Sequence, residues 1–227
     1  AYLHVNRTMS RIRIIKKRCI RYINSTNFKY LYDEKRQLFS IGYSLEDEQL
    51  NRSYYDLLAS ESRQTSFIAI AKGDISEEHW FRLGRPLTSV GGEKGLVSWS
   101  GTMFEYMMPL LIMKNYKNTL MDETYKFVIK AQMEYAKKRD CPWGVSESAY
   151  NAFDILFNYQ YRAFGVPALG LKRGLVNDMV VAPYATILAF MVDYEPSMSN
   201  LYYLKDEGLE GKYGFYEAAD YTPGRLP

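Results

Sequence analysis

The sequence predicts an all-α toroid in which helix pairs are joined by long, aromatic-rich loops, and loops gathered at one end of the helices shape a cleft. Three observations predict this class. Helical periodicity with start and stop signals recurs along most of the chain. The segments between are punctuated by glycine and proline. No βαβ alternation and no glycine-rich phosphate loop breaks the pattern.

Each element has its own justification. Residues 9–24 read as a basic amphipathic helix, and "YLYDEKRQLFSIGYSLEDEQL" has the alternation of a short hairpin with a strand over Leu38–Tyr43. A helix is expected over 53–72, closed by Gly73 as a C-cap, then a short one in "SEEHWFRLG" with Ser76 as N-cap and Gly84 as its stop. "PLTSVGGEKGLVSWSG" reads as a glycine-rich, irregular loop of a length that is often functional. Thr102 with Glu105 and Thr119 with Asp122 have capping-box spacing and open helices over 103–113 and 120–139, the second ended by Cys141-Pro142-Trp143-Gly144. Further helices are expected around 182–192 and 196–206, about eight in all.

Composition narrows the function. With 227 residues and 47% hydrophobic content the chain can build a substantial core. The net charge of +3 is concentrated in "RIRIIKKRCIR", so no broad basic surface argues for nucleic acid. No apolar run reaches the ~18 residues of a membrane span, and this segment is expected to make no membrane contact itself. The start "AYLHVNRTM" and the stop "DYTPGRLP" read as cuts from a longer chain. Two cysteines, Cys19 and Cys141, fit a reducing compartment without disulfides. With only His4 and His79, a three-histidine metal site is excluded, and no metal or organic cofactor is expected. The 21 tyrosines, 11 phenylalanines and three tryptophans suit sugar stacking as well as core packing.

Two acids stand in the same tripeptide, Ser-Glu-Ser, at 60–62 and 146–148. On a helical wheel at about 100° per residue, Glu61 points the same way as Tyr54, Leu57, Leu58, Thr65 and Ile68, whereas Asp56 and Arg63 lie far from it. An inward carboxylate needs a partner or a polar cavity, so a structural salt bridge or buried hydrogen bond is one reading and a catalytic acid the other. Glu147 follows a helix end, where no local pattern requires an acid; a solvated loop residue or an N-cap partner is its alternative. Capping already accounts for Glu105, and turn capping is the alternative for Glu217 and Asp220. Two separated carboxylates among aromatics suit glycoside chemistry, which needs one acid to protonate the leaving oxygen and a second as nucleophile or base.

A more specific signal lies in ordered strings: "LYDEKRQLFSIGYSLEDEQLNRSYYDLLASESR", "HWFRLGRPLT", "LVSWSGTMFEYMMPLLIM", "PWGVSESAYNAFD", "YQYRAFGVPALGLKRGL", "VVAPYATILA" and "GFYEAADYTPGRLP". Over residues 28–227 the chain resembles the glucoamylase-like domain of cyclic β-1,2-glucan synthases. That resemblance implies a single domain, 1–227, belonging to an (α/α)6 toroid incomplete in this segment. It also implies a place in a membrane-associated synthase on the cytoplasmic side of the inner membrane, with β-1,2-glucan and the other synthase domains as partners. The implied activity is retaining transglycosylation that closes a linear glucan into a ring, with Glu61 as nucleophile and Glu147 as general acid/base.

In that setting Trp99, Trp143, Tyr150 and Tyr161 are expected as walls and stacking platforms. Arg162, Lys172, Glu217 and Asp220 are expected to hydrogen-bond sugar hydroxyls, with Glu105 a further candidate contact. A β-1,2-glucan hydrolase of similar fold and a non-catalytic glucan-binding segment remain the alternatives.

Overall fold

The computed structural model describes residues 2–160 and 162–225. Its longest element, α1 (Tyr2–Ser25), extends the expected helix toward the N-terminus, because no glycine or proline precedes the basic repeat to stop it. Val5, Met9, Ile12 and Ile23 of its apolar stripe face solvent.

Next come β1 (Tyr32–Asp33), β2 (Leu38–Ser40), β3 (Tyr43–Ser44), β4 (Gln49–Leu50) and β5 (Tyr54–Tyr55). β1, β2 and β5 form one antiparallel sheet, with Phe39 opposite both Tyr32 and Tyr55, while β3 and β4 make a separate ladder. The expected strand over Leu38–Tyr43 is thus split, and Ile41 N–H turns to the Ser53 carbonyl.

The helix expected over 53–72 is confined to α2 (Arg63–Ala71). Tyr54 and Tyr55 pair with β2, and Leu57 bridges to Gly84. The first half of the segment therefore satisfies its backbone through long-range pairing, which outweighs the local helical spacing. Glu61 consequently lies in the turn leading into α2, not on a helix face. The stop at Gly73 is as expected: it adopts φ +74°, and Asp74 N–H reaches back to the Ala69 carbonyl.

After α3 (Glu78–Arg82) the stretch expected to be irregular is a hairpin, β6 (Leu87–Val90) and β7 (Glu93–Leu96). Gly91 and Gly92 supply the two positive φ angles of its turn. Gly95 lets β7 lie on the next long helix, since a Cβ there would stand 2.2 Å from the Phe127 ring.

α4 (Met103–Met107) begins with the Thr102/Glu105 capping box and gives way to a 3-10 turn at Pro109, shorter than expected. α5 (Leu120–Lys137) opens on Thr119, whose Oγ1 accepts from Asp122 N–H. The chain closes with β8 (Val180–Val181), α6 (Pro183–Ala189), α7 (Tyr194–Asp206), β9 (Glu210–Gly211), β10 (Gly214–Phe215) and β11 (Ala219–Asp220), the last paired with β8. Helix is the predominant regular structure. Met103, Tyr106 and Met107 of α4, Phe127 and Val128 of α5, Ala185 of α6 and Leu204 of α7 share one core. Tyr32, Phe39, Ala69 and Ile75 form a smaller core under the sheet.

Candidate functional site

Glu61 is presented by a turn that is held from below. Arg63, 2% exposed, donates from Nη1 to the Leu58 carbonyl (2.9 Å) and from Nη2 to the Tyr106 carbonyl (3.0 Å) and the Tyr125 hydroxyl (3.1 Å). A guanidinium is always charged and offers five rigid donors, so one side chain ties the 58–63 turn to α4 and α5. The wheel placed Arg63 away from the interior because it assumed helix through residue 61; the turn reverses that direction. Ser60 Oγ donates to Glu61 (3.1 Å) and also contacts Ser62 Oγ (3.0 Å), which gives the repeated serines a local role.

Glu147 is delivered by an extended strip, 143–147, clamped by amide side chains from two helices. Asn200 of α7 bonds both N–H and C=O of Trp143 (3.0 and 2.8 Å), and Gln132 of α5 does the same for Val145 (2.9 and 3.0 Å). Ser146 Oγ accepts from Phe104 N–H at the start of α4, and the Tyr184 hydroxyl lies within 2.8 Å of both Ser146 Oγ and the Glu147 carbonyl. The backbone is pinned on three sides. The Glu147 carboxyl, half-buried, accepts no hydrogen bond and forms no ion pair with a described residue.

Three acids share this neighbourhood. Burial raises the Glu147 carboxyl to about 7, with the charges of Glu105 and Glu61 adding to the rise. Burial raises Glu61 as well and Glu105 pushes the same way, but a bond from its own backbone, the Ser60 hydroxyl and the Arg63 guanidinium pull it back. Tyr55 feels both catalytic candidates: burial, then Glu61 and Glu147, raise its phenol. The Glu61 charge therefore reaches Glu147, 86 positions away in sequence, and both act on Tyr55.

Glu105 is buried, and its carboxylate is engaged by the protein. It accepts from Ser98 Oγ (2.8 Å), Ser100 N–H (3.0 Å) and Thr102 N–H (3.1 Å). Its place is the strut of the 98–105 turn, in keeping with the capping box and not with a free sugar ligand. Its charge still acts on the other two acids.

The remaining expected residues divide into groups. Tyr150, Glu217 and Asp220 line one polar cavity of about 480 Å³ with Asn151, Tyr159 and Arg225. Asp220 bonds Arg225 (2.6 Å), Arg225 bonds Asp178 (2.7 Å), and Arg162 closes a bidentate pair with Asp178 (2.7 and 2.8 Å). Burial pushes Asp178 and Asp220 up, but Arg162 and Arg225 at Asp178, and Arg225 with Thr222 and the Asn151 N–H at Asp220, outweigh it and hold both below the ordinary carboxylate range. The Tyr150 ring lies under Arg225, 4.6 Å from its guanidinium carbon. Glu61 and Glu147 do not line this cavity; Ala149, two residues past Glu147, does.

Trp99 is partly exposed, and its carbonyl accepts from Lys172 N–H (2.9 Å), so these two stand together. Trp143 is buried and lines a different, apolar groove of about 490 Å³ with Met133, Cys141 and Tyr203. Tyr161 lies outside the described residues.

Sequence reasoning missed Arg63, Asp178, Arg225 and Tyr184. Arg63 adjoins the Ser-Glu-Ser motif and was visible there, but its inward direction was not. Asp178 and Arg225 gain meaning only as partners across 47 residues of chain. Among the described residues no group of His, Cys, Asp and Glu could hold a metal ion, and no helix is long and apolar enough to cross a membrane.

The pattern of the Glycoamylase family, described as "Putative glucoamylase", matches residues 53–225. Over 217 residues the chain is 46% identical to the cyclic β-(1,2)-glucan synthase NdvB of Rhizobium meliloti (strain 1021), covering 96% of this chain but 8% of that protein. The chain thus spans a small fraction of the relative's length. Among solved structures, a "putative glucoamylase" from Bacteroides caccae superposes with TM-score 0.62 at 15% identity, covering 95% of this chain and 55% of that one. The endo-β-1,2-glucanase of Talaromyces funiculosus, in complex with sophorose, superposes with TM-score 0.66 at 15% identity, covering 86% and 44%. At such identities the likeness establishes a shared fold.

Proposed function

Because this chain belongs to the Glycoamylase family, we propose that it is a glycosyl-processing domain acting on β-1,2-glucan, and that its reaction is retaining transglycosylation closing a linear chain into a ring. The observation that carries this reading is the pairing of Glu61 with Glu147, whose half-buried carboxyl has no hydrogen-bond or ion-pair partner among the described residues and keeps its proton to about pH 7. The named activities of the synthase and the endoglucanase, both centred on β-1,2-glucan, support the substrate class.

In the first step a Glu61 oxygen attacks the anomeric carbon. The C1–O2 bond to the departing sugar breaks, and that oxygen takes the Glu147 proton. Ser60 and Arg63 favour the ionised nucleophile. In the second step the Glu147 carboxylate takes the proton of a hydroxyl at the chain's own non-reducing end. That oxygen displaces Glu61 from C1, and holding both ends of one chain makes closure effectively intramolecular. The cavity of Tyr150, Glu217 and Asp220 holds sugar units away from the reacting bond, with Trp99 and Lys172 on a further wall. The domain is a segment of an (α/α)6 toroid within a longer, membrane-associated synthase, and the fold neighbours of roughly twice its length support that reading.

The test is incubation with linear β-1,2-glucan, followed by mass spectrometry and NMR of the products. Rings lacking a reducing end and a β-configured first product are expected; reducing oligosaccharides would make the domain a hydrolase, and an α-configured product would overturn the covalent step. E61Q and E147Q are each expected to lower turnover at least ~1,000-fold. Azide rescue then assigns the roles. An α-glycosyl azide is expected from E61A and a β-glycosyl azide from E147A, and the opposite pattern would exchange the two acids.

A further inference from the structure

Residues 152–160 form a small hairpin. Phe153 bridges to Tyr159 with the rings 4.5 Å apart. The Asp154 carboxylate accepts from Leu156 N–H (2.8 Å), Asn158 N–H (2.9 Å) and Asn158 Nδ2 (3.2 Å), and Phe157 N–H donates to the Asp154 carbonyl (3.0 Å). Among the described residues, every hydrogen bond made by 152–160 stays within 150–160. The attachment lies one residue earlier, where Asn151 N–H bonds Asp220 (2.9 Å) and its amide bonds the Arg225 carbonyl (3.2 Å).

The unit is therefore braced by its own hydrogen bonds and tied to the 220–225 segment through Asn151. Its tip exposes three consecutive large apolar side chains, Ile155 at 94%, Leu156 at 75% and Phe157 at 85%. Phe157 is moreover held at φ +62°, a conformation that is uncommon for a bulky residue and is retained where the surroundings enforce it. A braced apolar tip marks a surface that is covered during function. What it would cover is indicated by its base: Asn151 and Tyr159 are themselves walls of the polar cavity with Tyr150, Asp220 and Arg225. Sugars present hydroxyl edges and apolar C–H faces, so a polar floor with an apolar cover fits both sides of one chain.

We infer that the 151–160 hairpin is a flap that folds over a β-1,2-glucan chain lying in this cavity, setting Ile155, Leu156 and Phe157 against the sugars' C–H faces and excluding water. This rests on the proposed function and deepens it, because a chain held in this cavity keeps its own end in place to displace Glu61 from C1 before water does. The tip residues touch neither acid and are not part of the catalytic pair.

Two measurements test it. Amide exchange across 151–160, followed with and without linear β-1,2-glucan, is expected to slow at least fivefold when glucan is bound. The variant I155S/L156S/F157S, altered only at exposed positions and verified by its thermal melt, is expected to raise the KM for glucan at least threefold. Its share of products bearing reducing ends is expected to rise at least threefold. Glucan binding, seen by calorimetry, without slowed exchange, or an unchanged KM or product ratio, would overturn the flap and leave the proposed function standing. Self-association of the parent that the variant loses, with no change in products, would assign the tip to a protein partner and overturn it too. A parent that neither binds nor converts glucan would overturn the underlying reading and the flap with it.

Discussion

Replacing Glu147 by Gln tests the electrostatics of the site without any assumption about turnover. The substitution is isosteric, and the carboxyl accepts no hydrogen bond from a described residue, so no polar contact among the described residues is lost. In the folded chain this group titrates near 7 instead of its ordinary 4.5, chiefly through burial and secondarily through Glu105 and Glu61. Below pH 4.5 the carboxyl is protonated in both folded and unfolded chains and contributes nothing to the difference. Between 4.5 and 7 the folded chain holds a proton that the unfolded chain has released, so stability falls as pH rises, and above 7 the whole penalty applies.

At about 1.36 kcal/mol per pH unit the full penalty is about 3 kcal/mol, and water at a half-buried site reduces it to about 1.5 kcal/mol. Glu147→Gln is thus expected to match the parent at pH 4 and to exceed it by about 1.5 kcal/mol at pH 8, with the change spread over pH 5–7. Urea denaturation at one-unit pH intervals measures the difference directly. A Gln variant that tracks the parent at every pH, or is less stable at pH 8, would refute the placement of a strained acid here.

Two further perturbations concern the frame around the acids. Arg63→Leu strands the Leu58 and Tyr106 carbonyls and the Tyr125 hydroxyl, though it also removes a buried charge to which no carboxylate of a described residue is bonded. A net loss of about 3 kcal/mol is expected. At about 2–4 °C per kcal/mol for a chain of this size the melting temperature falls by about 6–12 °C, and calorimetry reading a fall under 2 °C would contradict the anchoring role. Gly165→Ala would place a Cβ 1.9 Å from the Ser100 carbonyl oxygen, a backbone atom that cannot yield alone. A loss of at least ~2 kcal/mol is expected, together with a changed Trp99 fluorescence as the 98–101 turn shifts.

Much of the molecule was legible in the linear pattern. The Thr102/Glu105 and Thr119/Asp122 caps, the Gly73 stop and the two helices near the C-terminus depend on contacts within a few residues, so spacing alone specifies them. The hairpin at 87–96 was hidden because its two glycines read equally well as an irregular loop. The false helix over 53–62 arose because an apolar i, i+3, i+4 set also fits a strand and turn whose partners, β2 and Gly84, lie elsewhere in the chain.

The sequence by itself determined the family, the helical class and the two acids worth attention, because ordered strings and local capping rules need no third dimension. Only the tertiary structure decided what those acids experience. The repulsion among Glu61, Glu105 and Glu147, the inward Arg63 and the chain of ion pairs from Arg162 to Asp220 all join residues distant in sequence. A carboxyl's proton affinity is set by burial and by the charges that folding brings within reach; neither is present until the chain has closed on itself.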